Sequence, residues 1–238
     1  MKANILLFGC VVLASFPMLS AEEPVSMPFK AAVCEGHYSQ HLQGVCTDNR
    51  NAIYWSFTNT LVKTDSAGKL IEKVPVACHH GDLCYVAGKV YVAVNLGKFN
   101  RPAGQADSWV YVYDAVTLVE TARHKVAEAV HGAGGIAWAE GHFFVVGGLP
   151  AGIKENYVFE YDDQFVFQKK HVIASGYTEM GIQTAVFDGM GWWFGCYGGS
   201  PELLKTDLSF KLLGKYKFDC SLGLAPLPTG QFLAARGQ

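Results

Sequence analysis

One short unit recurs along the chain after residue 40. Each copy is a pair of apolar runs rich in β-branched and aromatic residues, separated by turn-forming Gly, Asn or Asp. The five pairs are 44–47 with 52–55, 82–85 with 90–93, 135–138 with 143–146, 184–187 with 192–194, and 224–227 with 232–234. This pattern predicts a repeat fold of short strands, because one such unit is too small to bury its own apolar face.

Two further strand-like runs follow the pair in each of the first four units. They lie at 61–65 and 70–76, 109–114 and 119–126, 157–162 and 165–173, and 203–207 and 210–218. Equivalent second-strand residues recur at intervals of 37 to 53 residues. Four-stranded units at this spacing are typical of β-propeller blades. We therefore predict an all-β fold, a five-bladed β-propeller, formed by a single domain over residues 22–238.

Some of these runs resemble known propeller repeats. The run 143–148 followed by 157–162 resembles a kelch blade, and 192–199 resembles it in part. The runs 61–69 and 109–117 are more similar to the strand–turn–strand of other secreted bacterial propellers. No single repeat family resembles all five units, so the resemblance implies a fold and no particular activity.

The fifth unit contains only two strands, which leaves its outer edge open. Residues 27–33 can supply a strand there, and this pairing would join the two ends of the chain. Closing the ring removes an edge that would otherwise favour aggregation. A β-sandwich also has many short strands, but it does not account for five units with the same internal order.

The N-terminus has the pattern of a secretory signal peptide. Lys2 precedes an apolar run, 5–16, which is followed by Pro17 and the small residues Ser20 and Ala21. The run is shorter than the roughly 18 to 20 residues that a membrane-spanning helix needs. We expect cleavage after Ala21 and a secreted or periplasmic monomer with no transmembrane segment in the mature chain.

The remaining cysteines become candidate disulfide partners in an oxidising compartment. They are Cys34, Cys46, Cys78, Cys84, Cys196 and Cys220. Cys34 and Cys220 flank the predicted closure point, so a bridge between them is one of the pairings that remain open. The charge balance, 19 Lys and Arg against 21 Asp and Glu, lacks the basic excess of a nucleic-acid-binding protein.

Polar residues collect at the junctions between the last strand of one unit and the first strand of the next. In a propeller these junctions lie on one face, around the central channel, so residues distant in sequence converge there. The candidate ligand-binding residues are His41, Gln43, His80, Asp82, His131, Tyr177, Glu179 and Gln183.

Several functions are compatible with this set. Amide and aromatic side chains favour binding of a small polar ligand such as a saccharide or glycan. Alternatively, His80, His131 and Asp82 could hold a divalent metal for a hydrolase or lyase. Two of Asp82, Glu128, Glu179 and Asp219 could also act as the acid and base of glycoside hydrolysis, or the rim could dock a protein. The sequence leaves open whether any reaction is catalysed.

Overall fold

The computed structural model describes residues 3–9, 31–200 and 202–237. These residues form nineteen strands and no helix, and so none of them belongs to a helix that could cross a membrane. The strands make four four-stranded antiparallel sheets and one smaller, three-stranded sheet.

In each four-stranded sheet the strands follow chain order from the first, inner strand to the fourth, outer strand. The first sheet contains β2 (Leu42–Thr47), β3 (Ala52–Phe57), β4 (Thr60–Asp65) and β5 (Leu70–Pro75). The second contains β6 (His80–Val86), β7 (Lys89–Asn95), β8 (Ser108–Asp114) and β9 (Glu120–Lys125). The third contains β10 (Ala133–Ala139), β11 (His142–Gly147), β12 (Asn156–Tyr161) and β13 (Phe167–Ile173). The fourth contains β14 (Ile182–Phe187), β15 (Trp192–Cys196), β16 (Glu202–Thr206) and β17 (Leu212–Tyr216).

The sheets form a β-propeller. The inner strands contact one another in the order β2, β6, β10 and β14, so the four sheets radiate from a common channel. Apolar clusters fill the gaps between the sheets. The doublet Trp192–Trp193 illustrates the strand alternation: Trp192 packs between the third and fourth sheets, and Trp193 faces the opposite gap.

The small sheet completes the ring between the fourth and first sheets. It contains β18 (Leu224–Pro226), β19 (Gln231–Gly237) and β1 (Ala3–Gly9), with β19 in the middle. One face packs on the first sheet through Ala225 and Leu233, and the other packs on the fourth sheet through Leu224 and Phe232.

The strand beside β19 is β1, whereas the sequence predicted 27–33 for this edge. β1 pairs with β19 along its whole length, from Ala3 opposite Gly237 to Gly9 opposite Gln231. Residues 27–30 lie outside the described residues. Val33 contacts the turn at Gly68 in the first sheet, where the Glu35 N–H also donates to the Gly68 carbonyl at 2.9 Å.

The candidate bridge between Cys34 and Cys220, one of the pairings left open by the sequence, is not formed. Both are free, buried thiols that lie on opposite sides of the small sheet. Cys34 packs on the first-sheet side beside Tyr38, and Cys220 packs on the fourth-sheet side. Burial raises the pKa of Cys34 to about 12, so this thiol is a poor nucleophile.

The hairpins between the third and fourth strands share one turn. Each begins with an Asp whose Oδ1 accepts backbone N–H groups of the turn, at Asp65, Asp114, Asp162 and Asp207. The third or fourth residue after the Asp has positive φ: Gly68, Leu118, Phe165 and Phe210. Phe165 and Phe210, which the sequence assigned to strands, are therefore turn residues whose rings are buried.

Each inner strand of the four larger sheets has a register shift near its start. The shifts lie between Leu42 and Gly44, His80 and Leu83, Ala133 and Gly135, and Ile182 and Thr184. Glycine at these bulges lets neighbouring inner strands approach closely. A Cβ on Gly135 would lie 2.5 Å from the Gln183 carbonyl oxygen, and one on Gly44 would lie 2.5 Å from the Asp82 Cα.

Candidate functional site

A cavity of about 340 Å³ lies at the end of the channel where the inner strands begin. Ligand sites in proteins commonly have roughly 300 to 1,000 Å³. The bulge residues form part of its wall, together with the loops that follow the second strands. Its lining residues are His41, Gln43, His79, Gly81, Asn95, Gly97, Phe99, Ala133, Gly134, Met180, Gln183, Tyr197, Ser221 and Leu222.

Two glutamines from different sheets line the cavity. Gln43 lies in the bulge of β2 and donates from Nε2 to Thr58 Oγ1 at 3.4 Å. Gln183 lies in the equivalent bulge of β14 and donates from Nε2 to the Met180 carbonyl at 2.7 Å. The NH₂ group of each amide is therefore held by the protein, so the orientation of each side chain is fixed.

The loop after β7 carries the main aromatic group of the cavity wall. Asn95 Nδ2 donates to the Gly97 carbonyl and Asn95 Oδ1 accepts the Asp107 N–H, each at 3.0 Å, which ties the two ends of this loop together. The loop brings Phe99 over the inner strand of the third sheet: a Cβ on Gly134 would lie 3.2 Å from the Phe99 ring. Our sequence-based site omitted Phe99, Met180 and Leu222, because single apolar residues in loops carry no recognisable pattern.

Two histidines lie on neighbouring junctions at the cavity. The ring centroids of His41 and His79 are 6.0 Å apart. Burial and the nearby His41 lower the pKa of His79, so its imidazole is neutral at neutral pH. A neutral imidazole has one donor and one acceptor nitrogen available to a ligand.

His80 does not line the cavity, contrary to the prediction from sequence. Its side chain is fully buried between the first and second sheets. Nδ1 donates to the Ala77 carbonyl at 2.6 Å, and Nε2 accepts the Tyr113 O–H at 2.7 Å. Burial lowers the pKa of His80 to about 4, and both ring nitrogens are occupied. His80 is therefore a packed structural histidine.

Asp82 lies just below the cavity floor. It follows the lining residue Gly81, its carboxyl group contacts Gly44, and it is only 1% exposed. Neither of its oxygens makes a hydrogen bond of normal geometry with the described residues. Burial raises the pKa of Asp82 well above its usual range, against the opposing effect of the backbone N–H groups of Leu83, Ala185 and Val45. Among the four predicted carboxylates, Asp82 is the one that the channel encloses, and it is therefore the candidate acid.

The other predicted residues lie outside the cavity lining. His131 Nδ1 donates a hydrogen bond to the Arg101 carbonyl oxygen at 2.9 Å. Tyr177 is exposed, and Glu179 Oε2 accepts the Gly199 N–H at 3.0 Å, which anchors the loop after Tyr197.

The predicted metal and glycosidase sites are not assembled. The described residues contain no cluster of three His, Cys, Asp or Glu side chains suited to a metal, and His80, His131 and Asp82 face different surroundings. Glu128 accepts the Tyr161 O–H, and Asp219 accepts the Ser221 N–H and O–H. None of the four predicted carboxylates lines the cavity, whereas Gln43 and Gln183, which lie in the bulges of β2 and β14, do.

Comparison with solved structures supports the fold. The chain is similar to the glutaminyl cyclase of Myxococcus xanthus, with 10% identity and a TM-score of 0.59 over 82% of this chain and 89% of that one. It is also similar to a protein of unknown function from Bacteroides caccae, with 11% identity and a TM-score of 0.50 over 91% and 73% of the two chains. No protein-family model matches the sequence, and no curated protein matches it. At these identities the similarity establishes the β-propeller fold alone.

Proposed function

We propose that this protein binds a small polar ligand, a saccharide, in the channel cavity. The observation that carries the proposal is the pair of oriented amides, Gln43 and Gln183, facing one enclosed space from two different sheets. Phe99 and Tyr197 add aromatic surface of the kind that packs on sugar rings. Fixed amides beside aromatic rings give hydrogen bonds of defined direction at small entropic cost.

Calorimetric titration with a panel of mono- and oligosaccharides tests this function. We expect Gln43→Leu and Gln183→Leu each to weaken the best ligand at least tenfold, because each variant loses an amide that faces the cavity. Gln164→Leu, in the exposed turn between β12 and β13, is the matched control and should bind normally. Equal affinity in all four proteins would refute the proposed site.

Two wider features belong to the same proposal. The leader-like segment 1–21 supports a secreted or periplasmic location and a mature domain over 22–238, which we expect to be a monomer. The small sheet packs on both neighbours, which supports its role as a fifth blade closed by an N-terminal strand. N-terminal sequencing and the native mass of the exported protein test the cleavage site and the monomer.

Acid–base catalysis at the same cavity is a second candidate, and Asp82 is the observation that favours it. A buried carboxyl with a raised pKa, one residue from the cavity lining, matches the usual environment of a general acid. A protein named as a glutaminyl cyclase has a similar fold, so cyclisation of an N-terminal glutamine is the first reaction to assay. Activity that is lost in Asp82→Asn would favour this candidate, and no turnover in the wild type would count against it.

A further inference from the structure

The described lining of the cavity carries no permanently charged side chain. Its fourteen residues include no Lys, Arg, Asp or Glu. Burial lowers the pKa of His79, which keeps it neutral at neutral pH, and burial raises the pKa of the Asp82 carboxyl beneath the floor well above its usual range. A charged ligand entering this space would lose hydration without gaining an opposite charge, which is costly.

The two glutamines keep both kinds of hydrogen-bonding group for a ligand. Nε2 of Gln43 and Nε2 of Gln183 each make one hydrogen bond within the protein, so each amide retains its second N–H and its Oε1. A Cβ on Gly134 would lie 3.4 Å from Gln183 Oε1, so this oxygen lies beside the inner strand of the third sheet. Each end of the Asn95 amide already makes one hydrogen bond within its loop.

Two inner strands contribute glycines to the cavity lining. Gly81 and Gly134 both line the cavity, and the Gly81 Cα packs directly on the Gly134 carbonyl. The absence of side chains at these two positions leaves room for a ring, and Phe99 contributes an aromatic face to the lining.

We propose that the cavity selects uncharged ligands, so that among saccharides it takes neutral hydroxyl- or acetamido-bearing sugars and rejects uronic acids and amino sugars. This inference rests on the binding function proposed above. It goes further by stating the charge of the ligand, which the uncharged lining sets.

A matched set of three sugars tests the inference: N-acetylglucosamine, glucosamine and glucuronate, titrated at pH 7 into the wild-type protein. We expect N-acetylglucosamine, or a neutral oligosaccharide of it, to bind at least tenfold more tightly than either charged sugar. Gln183→Glu places a negative charge among the lining residues, so it should weaken the neutral sugar and strengthen glucosamine. Gln164→Glu adds the same charge on the outer turn and should change neither.

The outcomes separate the two proposals. If glucuronate or glucosamine binds as tightly as the neutral sugar, the proposed selectivity is wrong, but the proposed binding function still stands. Absence of binding by every neutral saccharide in the panel overturns the proposed function, and the selectivity with it. If Gln183→Glu fails to fold, as judged by its thermal melting, the wild-type comparison of the three sugars still decides the inference.

Discussion

Burial decides what a titratable residue does in this protein, and His80 is the clearest case. In the sequence it stands next to His79 at a polar junction, and the two look equivalent. In the structure His79 lines the cavity, whereas His80 is enclosed between Ala77 and Tyr113. A histidine held neutral in this way couples folding to pH, because its imidazole binds a proton in the unfolded chain at pH values at which it stays neutral in the folded protein.

We expect His80 to make the protein acid-sensitive. Its folded pKa of about 4 lies below the ordinary value of 6.5, so its contribution is fully present above pH 6.5 and is lost as pH falls toward 4. From pH 7.5 to 4.5 the wild type should lose about 2 to 3 kcal/mol more unfolding free energy than His80→Gln. Urea denaturation at both pH values measures this. The same loss in both proteins would contradict the assignment, and His41→Gln should behave like the wild type.

Phe165 shows that a turn can be fixed by an apolar side chain in an unfavourable backbone conformation. Its φ is 60°, which is costly for a bulky residue, yet its ring stacks on Phe143 with centroids 4.4 Å apart and on His124 at 4.3 Å. The ring thus anchors the outer hairpin of the third sheet in the gap beside the second sheet.

Phe165→Ala should therefore cost about 3 kcal/mol or more, because it opens a cavity among packed rings and leaves the strained φ in place. Phe167→Ala, two residues away, should cost less than about 1 kcal/mol, since Phe167 is 38% exposed. Equilibrium denaturation of both variants gives the comparison. Similar losses would show that the ring of Phe165 does not anchor the hairpin.

At the scale of elements, the inner strands determine the site through their bulges. Each bulge inserts a residue near the start of the strand, and this changes which side chains face the end of the channel. Gly135 is needed there because its strand lies directly against the Gln183 peptide in β14. The same contact places Gln183 beside the cavity.

Gly135→Ala tests this contact between β10 and β14. The added Cβ would lie 2.5 Å from the Gln183 carbonyl oxygen, so one strand must move. We expect a fall of several degrees in Tm, corresponding to about 1 to 3 kcal/mol, together with weaker ligand binding. Gly199→Ala, where a Cβ would meet open space, should leave both unchanged. A normal Tm in Gly135→Ala would mean that the strands adjust without strain.

At the scale of the whole molecule, we expect stability to depend on closing the ring at the small sheet. β19 pairs with the N-terminal strand β1. Without such a partner, the edge of β19 would expose backbone N–H and C=O groups to other chains. β1 lies in the segment that resembles a signal peptide. Removal of that segment on export would leave the edge of β19 without β1, so another segment would have to pair with it. The sequence assigns that position to 27–33.

We expect the exported chain that begins at residue 22 to need 27–33 for closure. Deleting 27–33 from it should lower Tm and increase hydrogen exchange at the amides of β19. Deleting 22–26 instead should have little effect on either, which provides the control. Unchanged Tm and unchanged exchange after removal of 27–33 would rule out this segment as the closing strand.

The sequence alone was sufficient for the all-β class, the β-propeller repeat and the order of strands within each four-stranded sheet. These properties follow from local alternation and turn residues, which act over a few positions. Strand bounds differed by up to three residues. The predicted strands that began at Phe165 and Phe210 start two residues later, because a buried ring in a turn looks like the start of a strand.

Only the tertiary structure decided which junction residues face the cavity. Gln43 and Gln183 enter it, whereas His80 is buried between sheets and Asp82 lies beneath the floor. The physical reason is that neighbouring residues of a strand point in opposite directions, so a bulge of one residue exchanges the side chain that faces the channel. That exchange depends on how closely the inner strands of neighbouring sheets pack against one another, which no single unit of the sequence encodes.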